Sequence, residues 1–314
     1  MADFNLFNKI ANMNKEMIPE RLMHERGVGA YGTFYLYMPF SDYTKAEFLC
    51  DRDNFIEVFV RFSRATGRRG SAETLRDVRG MAVKFFTKQG VYDLIGQNMP
   101  VYFIKDASKF PELYKALRPN NGTSFDNDAF WTFVANNPES LHLIMWLYSN
   151  RGTINSYRFM EAYSVNTYLW ENELKESYYV RYKWNPLQGI RDIPANEAEF
   201  LAGYDPDALT NDLYSAIENG NYPEYELTVQ LVPKGKEADN NELFDATLVW
   251  PERACPQIKV GKIVLNRLPS DFHDEVELAY FSPSNTVPGI SLPEDDLLMT
   301  MCFAHDDSWR NRRR

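Results

Sequence analysis

Apolar and polar residues alternate with a period of two in several stretches of this chain, as in strands that bury one face. The region 80–104 contains three such runs separated by turns, the first turn at Gly90, and it predicts a meander of antiparallel strands. A meander of this kind indicates a barrel. The other predicted strands are 29–40, 55–64, 176–186, 225–233 and 260–269.

Helical patterns fill the remaining regions. We predict helices in 108–150, with a break at the Pro-containing segment 118–121, and around 194–219. Residues 289–310 read as a turn, a Pro-Glu-Asp-Asp helix start and a helix. Strands come in runs rather than alternating with helices, which is the α+β pattern. No linker divides the chain, so we expect one domain over 1–314, with an N-terminal helical arm at 1–26 and a helix with a basic tail at 291–314.

Composition narrows the classes of function. The net charge of −10 disfavours nucleic acid and anionic membranes as partners. No apolar run approaches the length of a membrane helix and no signal peptide is recognisable, so we expect a cytoplasmic protein. The three cysteines form no CxxC pair, and the four scattered histidines predict no metal site built from side chains alone. The aromatic content of 15% suits either a large apolar core or a flat aromatic cofactor.

Sequence blocks along nearly the whole chain resemble the catalase family. They include IPERLMHERGVGAYG (18–32), RFSRATGRRGSAETLRDVRGMAVKFF (61–86), DLIGQNMPVYFIKD (93–106) and EVELAYFSPSNTVPGI (275–290). The length is similar to that of the small catalase-related peroxidases. The resemblance implies an eight-stranded antiparallel β-barrel with surrounding helices, and haem b as the cofactor. Catalase relatives associate, so we expect a homodimer or a higher homo-oligomer.

The resemblance also assigns roles to individual residues. His24 matches the distal acid–base histidine, although alone it would read as a structural residue, and Ser63 matches the serine that fixes its tautomer. Gln97 stands where the family has a distal Asn that positions peroxide. Asp77 matches a channel residue or is a structural partner of Arg79. The expected cofactor contacts are Arg21, Arg61 and Arg312 to the haem propionates, and Met23, Tyr102, Phe110 and Met301 around the ring.

The proximal motif departs from the family pattern. The family reads Arg-x-Phe-x-Tyr-x-Asp, with the Tyr as iron ligand, whereas this chain has Met301 and His305 in place of the Arg and the Tyr. In the family, the Arg balances the negative charge of the phenolate ligand, but a neutral imidazole carries no charge to balance. The change of the Arg to Met301 is therefore consistent with a change of the iron ligand to His305. The competing interpretation is a site that no longer holds haem. We predict that Asp306 or Asp307 orients the His305 ring. Asn166 replaces a family His near the propionates, and Cys302 is expected in the core.

Three functions remain open. A neutral His ligand favours the ferrous state more than a phenolate does, so the first hypothesis is a haem peroxidase or peroxygenase with weak catalase activity. It would use hydrogen peroxide or an organic hydroperoxide to oxidise a small organic donor. The second hypothesis is a dioxygen-dependent haem oxygenase or desaturase that acts on a small metabolite. The third is a haem carrier, a gas sensor or a structural homologue without haem.

Overall fold

The computed structural model describes residue 21 and residues 23–53, 55–117, 126–235 and 241–312. The described residues form the strands β1 (Gly27–Leu36), β2 (Ile56–Arg64), β3 (Arg79–Thr87), β4 (Gly90–Gln97), β5 (Ala162–Tyr163), β6 (Tyr168–Glu171), β7 (Ser177–Pro186), β8 (Glu224–Pro233), β9 (Ile258–Arg267) and β10 (Ile290–Ser291). The α-helices are α1 (Phe110–Leu117), α2 (Asn127–Asn136), α3 (Leu141–Tyr148), α4 (Ala195–Tyr204), α5 (Ala208–Glu218) and α6 (Asp296–Arg312). None of these helices is long and apolar enough to cross a lipid bilayer.

Eight of the strands close into an antiparallel barrel, which confirms the predicted fold. The ring runs β7-β5-β4-β3-β2-β1-β9-β8 and closes through the pairing of β8 with β7. Strand β5 is the shortest member, and it joins β4 through the single pairing of Gln97 with Tyr163. Strands β6 and β10 extend the sheet beside β7.

Large aromatic side chains fill the interior of the barrel. Phe85 packs against Phe34 with ring centroids 5.5 Å apart, against Tyr92 at 5.6 Å and against Trp184 at 6.4 Å. These residues are almost fully buried in one continuous cluster. Because alternate residues of a strand point to opposite faces, every second residue of β2 to β4 lies on the outer face of the barrel, away from this packed interior. Cys302 belongs to the same cluster, as the sequence predicts.

The predicted third strand of the region 80–104 is wrong. Residues 98–104 form bends, and side chains of this region bond backbone groups within it and next to it. Asn98 Oδ1 accepts from the Arg79 backbone N–H at 2.7 Å, and Gln97 Nε2 donates to the Val101 carbonyl at 2.6 Å. Pro100 also lacks the N–H that a ladder requires.

The remaining predicted elements agree with the structure within a few residues, where they are described. The helical region 108–150 contains α1, α2 and α3, and the break predicted at 118–121 lies outside the described residues. The predicted N-terminal arm also lies outside them, except for its last residues. Strands β5, β6 and β10 have at most four residues, too few to produce a readable alternation.

Candidate functional site

A cavity lies between the outer face of β2 to β4 and helix α6. Ser63 from β2, Gly80 from β3 and Gln97 from β4 contribute to one wall, and His305 from α6 contributes to the opposite side. The segment before β1 adds His24. The space not filled by protein atoms, including the mouth, is about 1370 Å³. The barrel interior is packed, so this cavity beside it is where a large prosthetic group can be accommodated.

Hydrogen bonds fix both the backbone and the ring of His24. Its backbone N–H donates to the Ala65 carbonyl at 3.1 Å, and Arg61 Nη1 donates to the His24 carbonyl at 2.9 Å. The φ angle of 60° is left-handed, a conformation that costs energy for a residue other than Gly and that these bonds maintain. Nδ1 lies 2.9 Å from Ser63 Oγ, as the resemblance implies. Burial, and next the charge of Arg61, lower the pKa of His24 to about 4, so the ring is neutral at pH 7.

Gly80 permits the contact between His24 and Ser63, and the sequence analysis did not identify it. A Cβ at position 80 would lie 2.7 Å from Ser63 Oγ and 2.9 Å from His24 Nδ1. Gly80 pairs with Ser63 in the β2–β3 ladder, so the close approach follows from the strand register. The available clue was a glycine inside a strand pattern, which often marks a close approach.

Replacing Gly80 by Ala is expected to displace the His24–Ser63 pair while the barrel stays folded. The resemblance to catalases implies a reaction with peroxide, and for that reaction we expect a loss of at least about tenfold in rate, because a misplaced acid–base group loses much of its effect. Stopped-flow kinetics with peroxide and a thermal melt measure the two effects. The control is Gly203→Ala in α4, where a Cβ meets no atom within 4 Å. Equal peroxide rates in both variants would contradict this role for Gly80.

His305 faces the cavity on the same side of α6 as Met301 and Arg312. Met301 and His305 are four residues apart, and both line the cavity with Arg312. His305 Nδ1 lies 3.0 Å from the Phe281 carbonyl oxygen, which can only accept, so Nδ1 carries the proton. Burial lowers the pKa of His305 and keeps the ring neutral. Nε2 therefore keeps a lone pair that can bind a metal.

The prediction that Asp306 or Asp307 orients His305 is wrong. The carboxylate of Asp306 accepts a hydrogen bond from Tyr280 Oη. Asp307 Oδ1 lies 3.6 Å from Arg310 Nη2 along the helix. The orienting group is the backbone carbonyl of Phe281, 24 residues away in sequence. Every residue has a backbone carbonyl, so the residue types in the sequence could not show which carbonyl accepts this hydrogen bond.

The three predicted propionate arginines lie at one edge of the cavity. Arg21 Nη2 donates to the carbonyls of Glu277 at 2.7 Å and Ala279 at 2.9 Å. Arg312 Nη2 donates to the same Glu277 carbonyl at 2.6 Å. Arg61 Nη2 donates to the Glu25 carbonyl at 3.0 Å, while its buried Nε has no partner among the described residues. Burial lowers the pKa of each of these arginines, that of Arg61 to about 10.

This group of side chains carries a net positive charge. Arg69 joins the three arginines, with Nε 2.7 Å from Glu25 Oε1 and Nη2 3.0 Å from Glu277 Oε2. Counted over the described residues alone, the four arginines contribute four positive charges and the two glutamates contribute two negative ones. Arg61 and Arg312 are buried, whereas the Arg69 side chain is 42% exposed. An excess of positive charge around buried guanidinium groups favours a ligand that brings negative charge. Two carboxylates would satisfy that requirement.

Other predicted cofactor contacts surround the same cavity. Met301 Sδ accepts from Asn166 Nδ2 at 3.1 Å, and the buried Asn166 Oδ1 has no partner among the described residues. Gln97 also lines the cavity, and its Nε2 donates to the Val101 carbonyl at 2.6 Å, so its Oε1 is the part of the amide left to accept a hydrogen bond. The remaining predicted contacts that line the cavity are Met23, Tyr102 and Phe110.

Asp77 is not among the residues that line the cavity, and its carboxylate is bound by neighbouring side chains. Its Oδ2 lies 3.2 Å from Arg64 Nε and accepts from the Thr66 hydroxyl at 2.9 Å. Arg79 donates to the Asp77 backbone carbonyl at 2.6 Å, not to its carboxylate. The side-chain partner of Asp77 is therefore Arg64 and not Arg79, and its role beside a substrate channel stays a prediction. His142 is likewise satisfied, with Nδ1 2.8 Å from the Thr247 carbonyl oxygen.

The closed antiparallel barrel thus carries on its outside a cavity lined by two histidines and a cluster of arginines, which suits a prosthetic group with negatively charged substituents. The comparisons with known proteins identify the family. The model of the catalase family matches residues 1–313. The chain belongs to the catalase family.

Individual relatives agree with this assignment. The chain is 43% identical to the catalase of Alkalihalophilus pseudofirmus over 98% of its own length and 46% of that protein. It is 43% identical to the bromoperoxidase-catalase of Streptomyces venezuelae over 99% of its length and 65% of that protein. A fungal catalase structure superposes with a TM-score of 0.96 at 39% identity, over 99% of this chain and 63% of that one. The chain thus spans about half to two thirds of the length of these relatives.

Catalase-family proteins bind haem, and the residues of this cavity fit that group. Haem b is a flat apolar ring with two carboxylates and an iron that takes axial ligands. The arginine cluster suits carboxylates, and the buried Arg61 Nε, which has no partner among the described residues, is a donor for one of them. His305 provides a neutral imidazole with a free nitrogen. The apolar lining from Met23, Phe110 and Met301 suits the ring.

Proposed function

We propose that this protein is a haem-dependent oxidoreductase that reduces hydrogen peroxide, with His305 as the iron ligand and His24 as the acid–base group. The observation that carries the proposal is the pair of histidines that line one cavity, each with its Nδ1 engaged in a hydrogen bond. The haem would supply the iron that exchanges electrons with peroxide. Arg21, Arg61 and Arg312 would hold its carboxylates.

The chain's own residues handle the protons. With the proton on Nδ1 donated to Ser63 Oγ, His24 Nε2 is a base that can take a proton from the near peroxide oxygen. The same nitrogen then delivers the proton to the leaving oxygen, which departs as water. A pKa of about 4 keeps His24 unprotonated before the reaction starts. Gln97 Oε1 is an acceptor for the peroxide O–H.

We propose that peroxide disproportionation occurs but is slower than oxidation of an organic donor. The names of the relatives favour catalase activity, and one of them is a bromoperoxidase-catalase. His305 and Met301 favour the donor, because a neutral ligand lacks the anionic charge with which a phenolate stabilises ferric iron. An organic hydroperoxide is a second candidate oxidant. We also propose that the protein is located in the cytoplasm and that it assembles into a homo-oligomer.

The test begins with the purified, haem-loaded protein, reduced by dithionite and mixed with carbon monoxide. Ready reduction and an imidazole-type carbon monoxide spectrum are the expected results. A phenolate-type spectrum that resists reduction would contradict His305 as ligand. A protein that takes up no haem would contradict the whole proposal.

Activity assays then separate the reactions. Oxygen release and the oxidation of a phenolic donor are measured from the same pulse of hydrogen peroxide, and donor oxidation is expected to dominate. Dominant oxygen release would identify a catalase in the strict sense. Turnover that needs dioxygen and a reductant but no peroxide would instead favour the oxygenase or desaturase hypothesis. Haem binding without any turnover would point to a carrier or a sensor.

A further inference from the structure

Tyr280 and Trp309 form a stacked pair at the edge of the cavity. Their ring centroids are 5.2 Å apart and their planes are inclined by 28°. Both side chains line the cavity, and both keep part of their surface exposed to solvent. The pair is therefore a part of the cavity wall that solvent reaches.

Short connections join this pair to His305. Tyr280 Oη donates to the carboxylate of Asp306, the residue next to His305. The residue after Tyr280 is Phe281, whose carbonyl accepts from His305 Nδ1 at 3.0 Å. Residues 280–281 are thus bound to α6 at two successive positions. The path from the imidazole to the phenol runs through one hydrogen bond to the Phe281 carbonyl and then along the backbone of residues 281 and 280 to the Tyr280 side chain.

The chemistry of the pair suits one-electron oxidation. Indole and phenol rings are the protein side chains that lose a single electron most readily, apart from thiolates. A phenol must also give up its proton when it loses an electron, and the Asp306 carboxylate is in place to accept it. Stacking places the Trp309 ring in direct contact with the oxidised phenol.

We propose that Tyr280 and Trp309 form a surface oxidation site for phenols and aromatic amines that are too large to enter the cavity. The proposal rests on the peroxide-reducing function proposed above. Reduction of one hydrogen peroxide to two waters takes up two electrons and two protons. Each electron leaves the pair while the Tyr280 proton moves to Asp306. A donor at the surface then returns one electron to the pair, the proton moves back to Tyr280, and the donor releases its own proton to water. Two donors thus supply the two electrons and two protons.

The first experiment looks for the radical itself. Haem-loaded protein is mixed with hydrogen peroxide without donor, frozen within milliseconds and examined by electron paramagnetic resonance. We expect a protein-radical signal that is lost or strongly reduced in Tyr280→Phe, which keeps the stacked ring but has no phenolic proton. A spin trap followed by peptide mass spectrometry should locate the adduct on Tyr280 or Trp309.

The second experiment compares a small phenol with the same phenol tethered to a soluble polymer. The rate with the tethered donor, divided by the rate with the small one, is expected to fall at least about tenfold in Tyr280→Phe and in Trp309→Phe. The matched control is Trp131→Phe, because Trp131 also contacts a tyrosine, Tyr148 at 5.6 Å, but neither lines the cavity. This control should keep the wild-type ratio.

The outcomes separate the two proposals. If the wild-type protein reduces peroxide but the ratio and the radical signal are the same in Tyr280→Phe, the surface site is wrong and the proposed function stands. If the radical is trapped at other residues, the surface site is also wrong. If the wild-type protein shows no spectral change with peroxide, the proposed function fails and the surface site fails with it.

Discussion

Replacing His305 by Ala is expected to remove haem from the purified protein. Loss of groups that merely orient a metal ligand already costs roughly 10–100-fold in affinity, so loss of the ligand itself should cost at least about a hundredfold. Free imidazole added to the variant should enter the vacated space and restore part of the binding. Haem content, measured per protein chain with and without imidazole, tests this expectation.

The matched control is His142→Ala, because His142 also bonds a backbone carbonyl but does not line the cavity. Its haem content should equal that of the wild-type protein. If His305→Ala retained full haem content and an unchanged spectrum, the iron ligand would have to be a different residue.

The double variant Met301→Arg with His305→Tyr tests the ligand more sharply, because it restores the family pair. A phenolate balanced by an Arg should resist reduction by dithionite and raise oxygen release relative to donor oxidation. Met301→Arg alone places a buried cation beside a neutral ring, which should lower stability by several kcal/mol. The two changes should therefore be strongly non-additive in a double-mutant cycle.

Replacing His24 by Gln is expected to leave haem bound while slowing the reaction with peroxide by roughly 10²–10⁴-fold. The reason is that Gln has no nitrogen that can take up a proton and release it again. Stopped-flow absorbance of the haem after mixing with peroxide measures the effect. Ser63→Ala should cause a smaller loss, because the ring stays but its orientation is less constrained. A peroxide rate unchanged in His24→Gln would exclude His24 as the acid–base group.

The pH dependence follows from the lowered pKa of His24. The reactive form is the neutral ring, and the pKa of about 4 lies below the ordinary value of 6.5. The rate should therefore stay constant as pH falls through 6.5 and decline only near pH 4. If kcat/KM instead began to fall near pH 6.5, the pKa of His24 would be close to its ordinary value, and the ring would be more hydrated than its buried position indicates.

Local sequence patterns determined much of this fold. The strands of the barrel repeat with a period of two, and α6 places Met301, His305 and Arg312 on one side because four residues make about one turn. The family blocks identified His24, Ser63 and the arginines as candidates. The chemical character of His305 and Met301 is also visible in the sequence, because it depends only on residue identity.

Contacts between distant parts of the chain were decided by the tertiary structure. Gly80 meets His24 because β2 and β3 pair in one particular register, and Phe281 rather than an aspartate holds His305 because its carbonyl packs against α6. The Tyr280–Trp309 pair joins residues from two separate segments. Periodicity records which face of an element is buried, but not which atoms meet there. These atomic contacts depend on strand register and helix packing, which only the folded chain defines.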